Sequence, residues 1–181
     1  MSHFFETRTE VTKYANEFIR RVEKHCQEEI YCKFKLQKIT LDWDKKRRAS
    51  RGGMYADGPG INIAMWRLYQ PLGELHRVYE YKSFDSDPEI GGFYTRSKWH
   101  KLEMVILHEI AHALQYYSYK LNKFRCKPHG PTWKNFYRRL RGVFLNPYLE
   151  PQHDAKIEYQ DMIDEVVGIK PDPLSRRAAS R

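Results

Sequence analysis

The stretch from Leu102 to Leu114, LEMVILHEIAHAL, is apolar nearly all round a helix, yet it carries His108, Glu109 and His112. Leu102, Val105, Ile106 and Ala113 form one stripe, thickened by Leu107, Ile110 and Leu114, so a helix over 99–120 must be buried. Polar groups inside such a helix are expensive unless something satisfies them. Histidines four apart stand one above the other on a helix face, so both imidazoles can reach one metal ion. The intervening Glu109 lies one step round the helix, where it can take a proton from a water held on that metal. The plainer alternative is two core histidines bonded to backbone carbonyls.

A hydrolytic zinc site wants three protein ligands and one open position. The extended metzincin pattern would need Gly at 115 and His at 118, and this chain has Gln115 and Ser118. A nearby acidic ligand is excluded too, because no Asp or Glu occurs from Ala111 to Leu149. The donors left are Cys126 and His129. His129 is favoured, because Lys127-Pro128-His129-Gly130-Pro131 is a rigid turn opening a new helix, with Pro131 in its first turn. That helix should end before Gly142, with Trp133, Phe136, Tyr137 and Leu140 as its core stripe and Lys134, Arg138 and Arg141 on the other side. His3, His25, His76, His100 and His153 have no partner at ligand spacing.

Elsewhere the periodicities switch. Val11, Tyr14, Phe18, Val22 and Cys26 predict an amphipathic helix over 9–30, with Thr9 as N-cap. Residues 31–43 alternate like a strand, with a phase slip near Gln37 that a bulge could absorb. Lys45 to Gly53 reads as a basic turn, and Met54 to Trp66 has strand character. Residues 71–98 read as an inserted hairpin built from Val78–Phe84 and Phe93–Thr95. A last helix covers 151–168, and 171–181 reads as a disordered tail. Residues 1–170 then form a single domain, as the length of 181 residues suggests.

Composition narrows the class. With 41% hydrophobic and 30% charged residues the chain is globular. No apolar run approaches the ~18 residues of a membrane span. The N-terminus lacks the pattern of a signal peptide, so the expected location is intracellular, in the cytoplasm, nucleoid or nucleus. Cys26, Cys32 and Cys126 are odd in number and at no metal-binding spacing, which fits free thiols in a reducing compartment. The net charge of +9 is concentrated. Residues 31–51 hold eight Lys/Arg against Asp42 and Asp44, and residues 120–141 hold eight with no acid. Such blocks suit a polyanion, most simply DNA, with Lys45, Lys46, Arg47, Arg48, Lys134, Arg138 and Arg139 as contacts; the plainer alternative is a solvated basic face.

Taken in order, HEIAHALQ and then His129-Gly130-Pro131-Thr132-Trp133 resemble the SprT-like zinc metalloprotease family, to which the Spartan-type proteases belong. Arg51-Gly52-Gly53-Met54-Tyr55 and Ile61-Asn62-Ile63 resemble the family's strand before the active-site helix. The resemblance spans residues 36–141. It implies a compact α+β fold of minimal zincin type, a small, mostly antiparallel sheet packed on an active-site helix and flanking helices. It further implies one Zn2+ per chain on His108, His112 and His129, Glu109 as general base, and a substrate edge at Gly52, Gly53, Met54 and Tyr55. Tyr55, Tyr116, Tyr117 and Tyr119 are candidates for a helper hydrogen-bond donor. Two features depart from the family pattern: only Cys126 lies in the second half, so no Cys-rich zinc ribbon follows, and the 71–98 link is long. The expected function is zinc-dependent hydrolysis of DNA-associated or DNA-crosslinked proteins by a monomer with no membrane partner. Alternatives are a nucleic-acid-binding protein with structural zinc on the same scaffold, and a peptidase with one dedicated protein target and no DNA role.

Overall fold

The structure, a computed structural model, describes residues 8–44, 51–55 (backbone), 58–68, 74–122 and 127–167. It is α+β, with helices dominating. Helix α1 (Arg8–Glu29) buries Val11, Ala15, Phe18, Ile19, Val22 and Cys26 along one face. It already includes Arg8, so Thr9 lies inside the helix rather than capping it. The chain then turns, with the amides of Ile30 and Tyr31 both donating to the Cys26 carbonyl.

Strand β1 (Lys38–Asp42) is shorter than the alternation over 31–43 suggested. Phe34 and Leu36 are buried, but from a turn-rich approach whose amides bond a turn carbonyl and a side chain of α1. Phe34 N–H donates to the Tyr31 carbonyl, and Leu36 N–H to the Glu23 carboxylate. Alternating burial therefore arose without ladder pairing. β2 (Arg51–Tyr55) and β3 (Gly58–Ala64) complete a three-stranded sheet in the order β1-β3-β2. β1 runs parallel to β3, with Ile39 opposite Ile61 and Leu41 opposite Ile63. β2 runs antiparallel to β3, with Arg51 opposite Asn62. The central strand has Ile61, Ile63 and Ala64 buried, while β2 sits at an edge. Gly58 begins β3 at φ +132°, a conformation that L side chains rarely adopt, and a Cβ there would collide with Gln37.

The inserted hairpin is present in reduced form. β4 (His76–Val78) pairs antiparallel with β5 (Phe93–Thr95), and the arc between them is a 3-10 turn at Lys82–Phe84 followed by tight turns, not a longer strand. We call residues 76–95 the strap. Its Phe84, Ile90 and Phe93 are buried in the core.

Helix α2 (His100–Asn122) packs on the sheet, on α1 and on α3 (Pro131–Phe144), which explains why it is apolar nearly all round. Pro131 opens α3, which runs on through Gly142 to Phe144. Arg141 corrects the sequence expectation, because it does not share the solvent face with Lys134 and Arg138. It is fully buried, donating from Nη1 to the Gly91 carbonyl at 2.7 Å and from Nε to Asn146 Oδ1 at 3.0 Å. A guanidinium can be buried when carbonyls and aromatic faces replace its water, and Arg141 lies over the rings of Phe93 and Tyr137. Helix α4 (Gln152–Val167) is fastened to the strap by Gln152, whose amide meets both the N–H (2.6 Å) and the carbonyl (3.2 Å) of Tyr94. Among the described residues no helix is long and apolar enough to cross a membrane. The 171–181 tail lies outside the described residues.

Candidate metal centre

Two elements carry the three histidines. His108 and His112 project one turn apart from α2, and His129 comes from the turn before α3. That turn is held at both ends. Gly130 N–H donates to the Lys127 carbonyl at 3.0 Å, and Gln115 Nε2 donates to the same carbonyl at 2.9 Å. His129 itself sits at φ +56°, in the left-handed region. A non-glycine residue there costs of order 1–3 kcal/mol and persists where its surroundings demand it.

The imidazoles converge. His129 Nε2 lies 2.9 Å from His112 Nε2 and 3.0 Å from His108 Nε2. One proton on His129 Nε2 can serve only one of those neighbours, so hydrogen bonding alone does not satisfy this set. A cation accepting all three lone pairs does, and three imidazoles are a donor set of hydrolytic zinc. Among the described residues this is the group of side chains that could hold a metal ion. Two of the three, His112 and His129, are pushed toward the neutral form that a metal needs. Burial, followed by the neighbouring His108 and His129, brings His112 down to about 3. Burial and His108 lower His129 as well.

Beneath the cluster lies Trp133, fully buried, with its ring 4.7 Å from His108, 5.3 Å from His112 and 4.6 Å from His129 between centroids. Its Nε1 donates to the His108 carbonyl at 3.3 Å. Phe84 of the strap stacks on the far part of this platform, 5.7 Å from Trp133. Glu109 is buried on the same helix.

The strap brings two residues that no motif flagged. Glu80 approaches His108 Nδ1 with both carboxylate oxygens at 3.4 Å, and Tyr137 OH donates to Glu80 Oε2 at 2.7 Å. Burial would raise the Glu80 carboxyl, but the bonds from His108 and Tyr137 outweigh it and hold the group below the ordinary carboxylate range. Tyr81, half exposed, leans on His129 (4.8 Å) and His108 (5.7 Å). Burial and the charges of Glu80 and Glu109 raise its phenol, so it stays protonated. Of the tyrosines singled out from the sequence, Tyr116 is buried, and Tyr117 packs on Tyr31 and Phe34 away from the cluster. The Tyr55 side chain and Cys126 lie outside what is described.

Residues 90–155 match the SprT-like family. Over that span the chain is similar to SprT-like proteins. The span covers just over a third of the 181 residues and runs from the strap's second half through α2 and α3 into α4. It contains all three histidines and Glu109. The family implies a metal, and His108, His112 and His129 can hold it. No curated protein and no solved structure gives a significant match. Glu80, Tyr81 and the three-stranded sheet fall outside the matched span.

The remaining predicted positions divide. Gly52, Gly53, Met54 and Tyr55 form edge strand β2, which lies beside α2. Lys45, Lys46, Arg47 and Arg48 lie outside the described residues. The basic residues of α3 are engaged within the chain. Arg138 bonds Asp87 and lies 3.2 Å from Glu89 Oε2. Arg139 donates to the Glu29 carbonyl, and the Lys134 ammonium sits 4.9 Å over the Phe84 ring.

Proposed function

We propose that the protein is a zinc-dependent metallopeptidase, with one zinc per chain on His108, His112 and His129 and with Glu109 as general base. The observation that carries this reading is the convergence of three Nε2 atoms, beside a buried glutamate, in a segment matched to the SprT-like family. Zinc held there would supply Lewis acidity toward a peptide carbonyl and toward a water. Glu109 accepts a proton from the attacking water and returns it to the leaving amine nitrogen. Tyr81, kept as a phenol at the rim, donates a hydrogen bond to the oxygen on which negative charge develops. The extended backbone at Gly52, Gly53, Met54 and Tyr55 offers an edge to which a substrate strand adds.

The substrates on this reading are DNA-associated or DNA-crosslinked proteins. The support is charge: +9 overall, concentrated in residues 31–51 and 120–141. Because the α3 cations have partners inside the chain, phosphate contact falls first to Lys45, Lys46, Arg47 and Arg48. The test is cleavage of a DNA-binding protein with and without DNA, by wild type and Glu109→Gln. Wild type should cleave, more so with DNA, and Glu109→Gln should retain zinc and lose roughly 10²–10⁴ in rate. Absence of cleavage by zinc-loaded wild type under both conditions overturns the peptidase reading. Cleavage indifferent to DNA overturns the DNA part alone.

A further inference from the structure

His108 is the one ligand of the three whose second ring nitrogen faces a carboxylate in the described contacts. Glu80 presents both oxygens to His108 Nδ1 at 3.4 Å, with its side chain only 6% exposed. An ionised carboxylate has lone pairs and no proton, so Nδ1 must be the donor. A neutral imidazole that carries its proton on Nδ1 has its lone pair on Nε2, the atom facing His129. The carboxylate thus decides which nitrogen of His108 is free to bind a cation.

The carboxylate is itself fixed from behind. Tyr137, fully buried, donates to Glu80 Oε2 at 2.7 Å. The Arg141 guanidinium lies 5.6 Å from the Tyr137 ring and packs that donor from its other side. Arg141 is in turn bonded to the Gly91 carbonyl, on the returning limb of the same strap. The strap's outer turn is tied to α3 a second time through Arg138, Asp87 and Glu89. These contacts leave Glu80 little freedom to swing.

We infer that Glu80 is a positioning residue for the metal centre: it fixes the tautomer of His108 and raises the donor strength of its Nε2, which makes the strap an integral wall of the site. The inference rests on the reading that His108, His112 and His129 hold zinc. It lies outside the span matched to the family. Carboxylates behind ligating histidines commonly matter about 10- to 100-fold in metal affinity.

The test uses the full chain. Long-range proton–nitrogen spectra of metal-free wild type read the His108 tautomer directly, and zinc affinity is read by competition with a chromophoric chelator for wild type, Glu80→Gln and Glu80→Ala. Wild type should show the proton on Nδ1. Glu80→Ala should lose that preference and bind zinc roughly 10- to 100-fold more weakly, with the isosteric Glu80→Gln between. A wild-type proton on Nε2, or unchanged zinc affinity in both variants, overturns the role of Glu80. Failure of wild type to bind zinc overturns the metal reading instead, and the tautomer measurement still decides what Glu80 does. It needs no variant to fold.

Discussion

Gln115 Nε2 donates to the Lys127 carbonyl at 2.9 Å, and this bond joins the helix bearing His108 and His112 to the turn bearing His129. Gln115 is buried, seven residues beyond His108, with His112 between them on the same helix. Its amide thus sets the height of the turn against the helix. Gly130 completes the arrangement, since a Cβ there would stand 2.9 Å from the same carbonyl.

Replacing Gln115 with Leu keeps the volume and removes the bond. One net hydrogen bond is worth about 1 kcal/mol, so metal-free stability should fall by about that much. Zinc affinity should fall further, because His129 no longer has a fixed station. Denaturant melts of the metal-free protein alongside chelator competition check this. Equal zinc affinity in wild type and Gln115→Leu contradicts it.

Tyr81→Phe removes a hydroxyl and leaves the ring against His129. If Tyr81 serves the developing oxyanion, kcat should drop by roughly 10²-fold or more with KM nearly constant. Zinc stoichiometry should stay at the wild-type value. A variant that loses zinc, or one with unaltered kcat, places Tyr81 outside the chemistry.

The legible part of this chain was its helices and the spacing within α2, because burial on a helix leaves a periodic trace. The absence of an acidic residue from Ala111 to Leu149 narrows the third donor to Cys126 or His129, and the rigid Pro-flanked turn favours His129. Glu80 was not legible. One glutamate in an alternating Tyr-rich run has no spacing that marks it, and its role depends on the strap folding back onto Tyr137, 57 residues later. In the sequence Gln115 signals only the absence of a glycine at that position. Arg141 was misjudged because a charge on a helix is ordinarily solvated, and here the strap supplies the Gly91 carbonyl and the Phe93 face that replace water. The segment 31–37 resembles a strand because Phe34 and Leu36 alternate into the core, whereas their amides bond the Tyr31 carbonyl and the Glu23 carboxylate rather than a neighbouring strand.

A pH dependence follows from Glu103, buried on α2 and bonded by Tyr14 OH. Burial raises its carboxyl, and the Tyr14 bond and the Arg21 charge only partly offset this. A carboxyl raised in the folded state binds its proton more tightly there than in the unfolded chain. Its contribution is fully present below the ordinary Glu value and is lost as pH rises through the folded value. His100, 3.9 Å away, is lowered by burial and so contributes a slope of the other sign below its ordinary value. Glu103→Gln isolates the carboxyl. Its stability relative to wild type should improve as pH rises above the ordinary Glu value in urea melts. A difference that does not change with pH contradicts the assignment.

The central claim is that three imidazoles and no thiolate hold one zinc. X-ray absorption at the zinc edge, on the purified full chain loaded with one equivalent, tests it most directly. The account predicts a first shell with three imidazole nitrogens at ~2.0–2.1 Å, one of them lost in His129→Ala. A sulfur at ~2.3 Å, which would bring in Cys126, or a wild-type shell unchanged by His129→Ala, contradicts it.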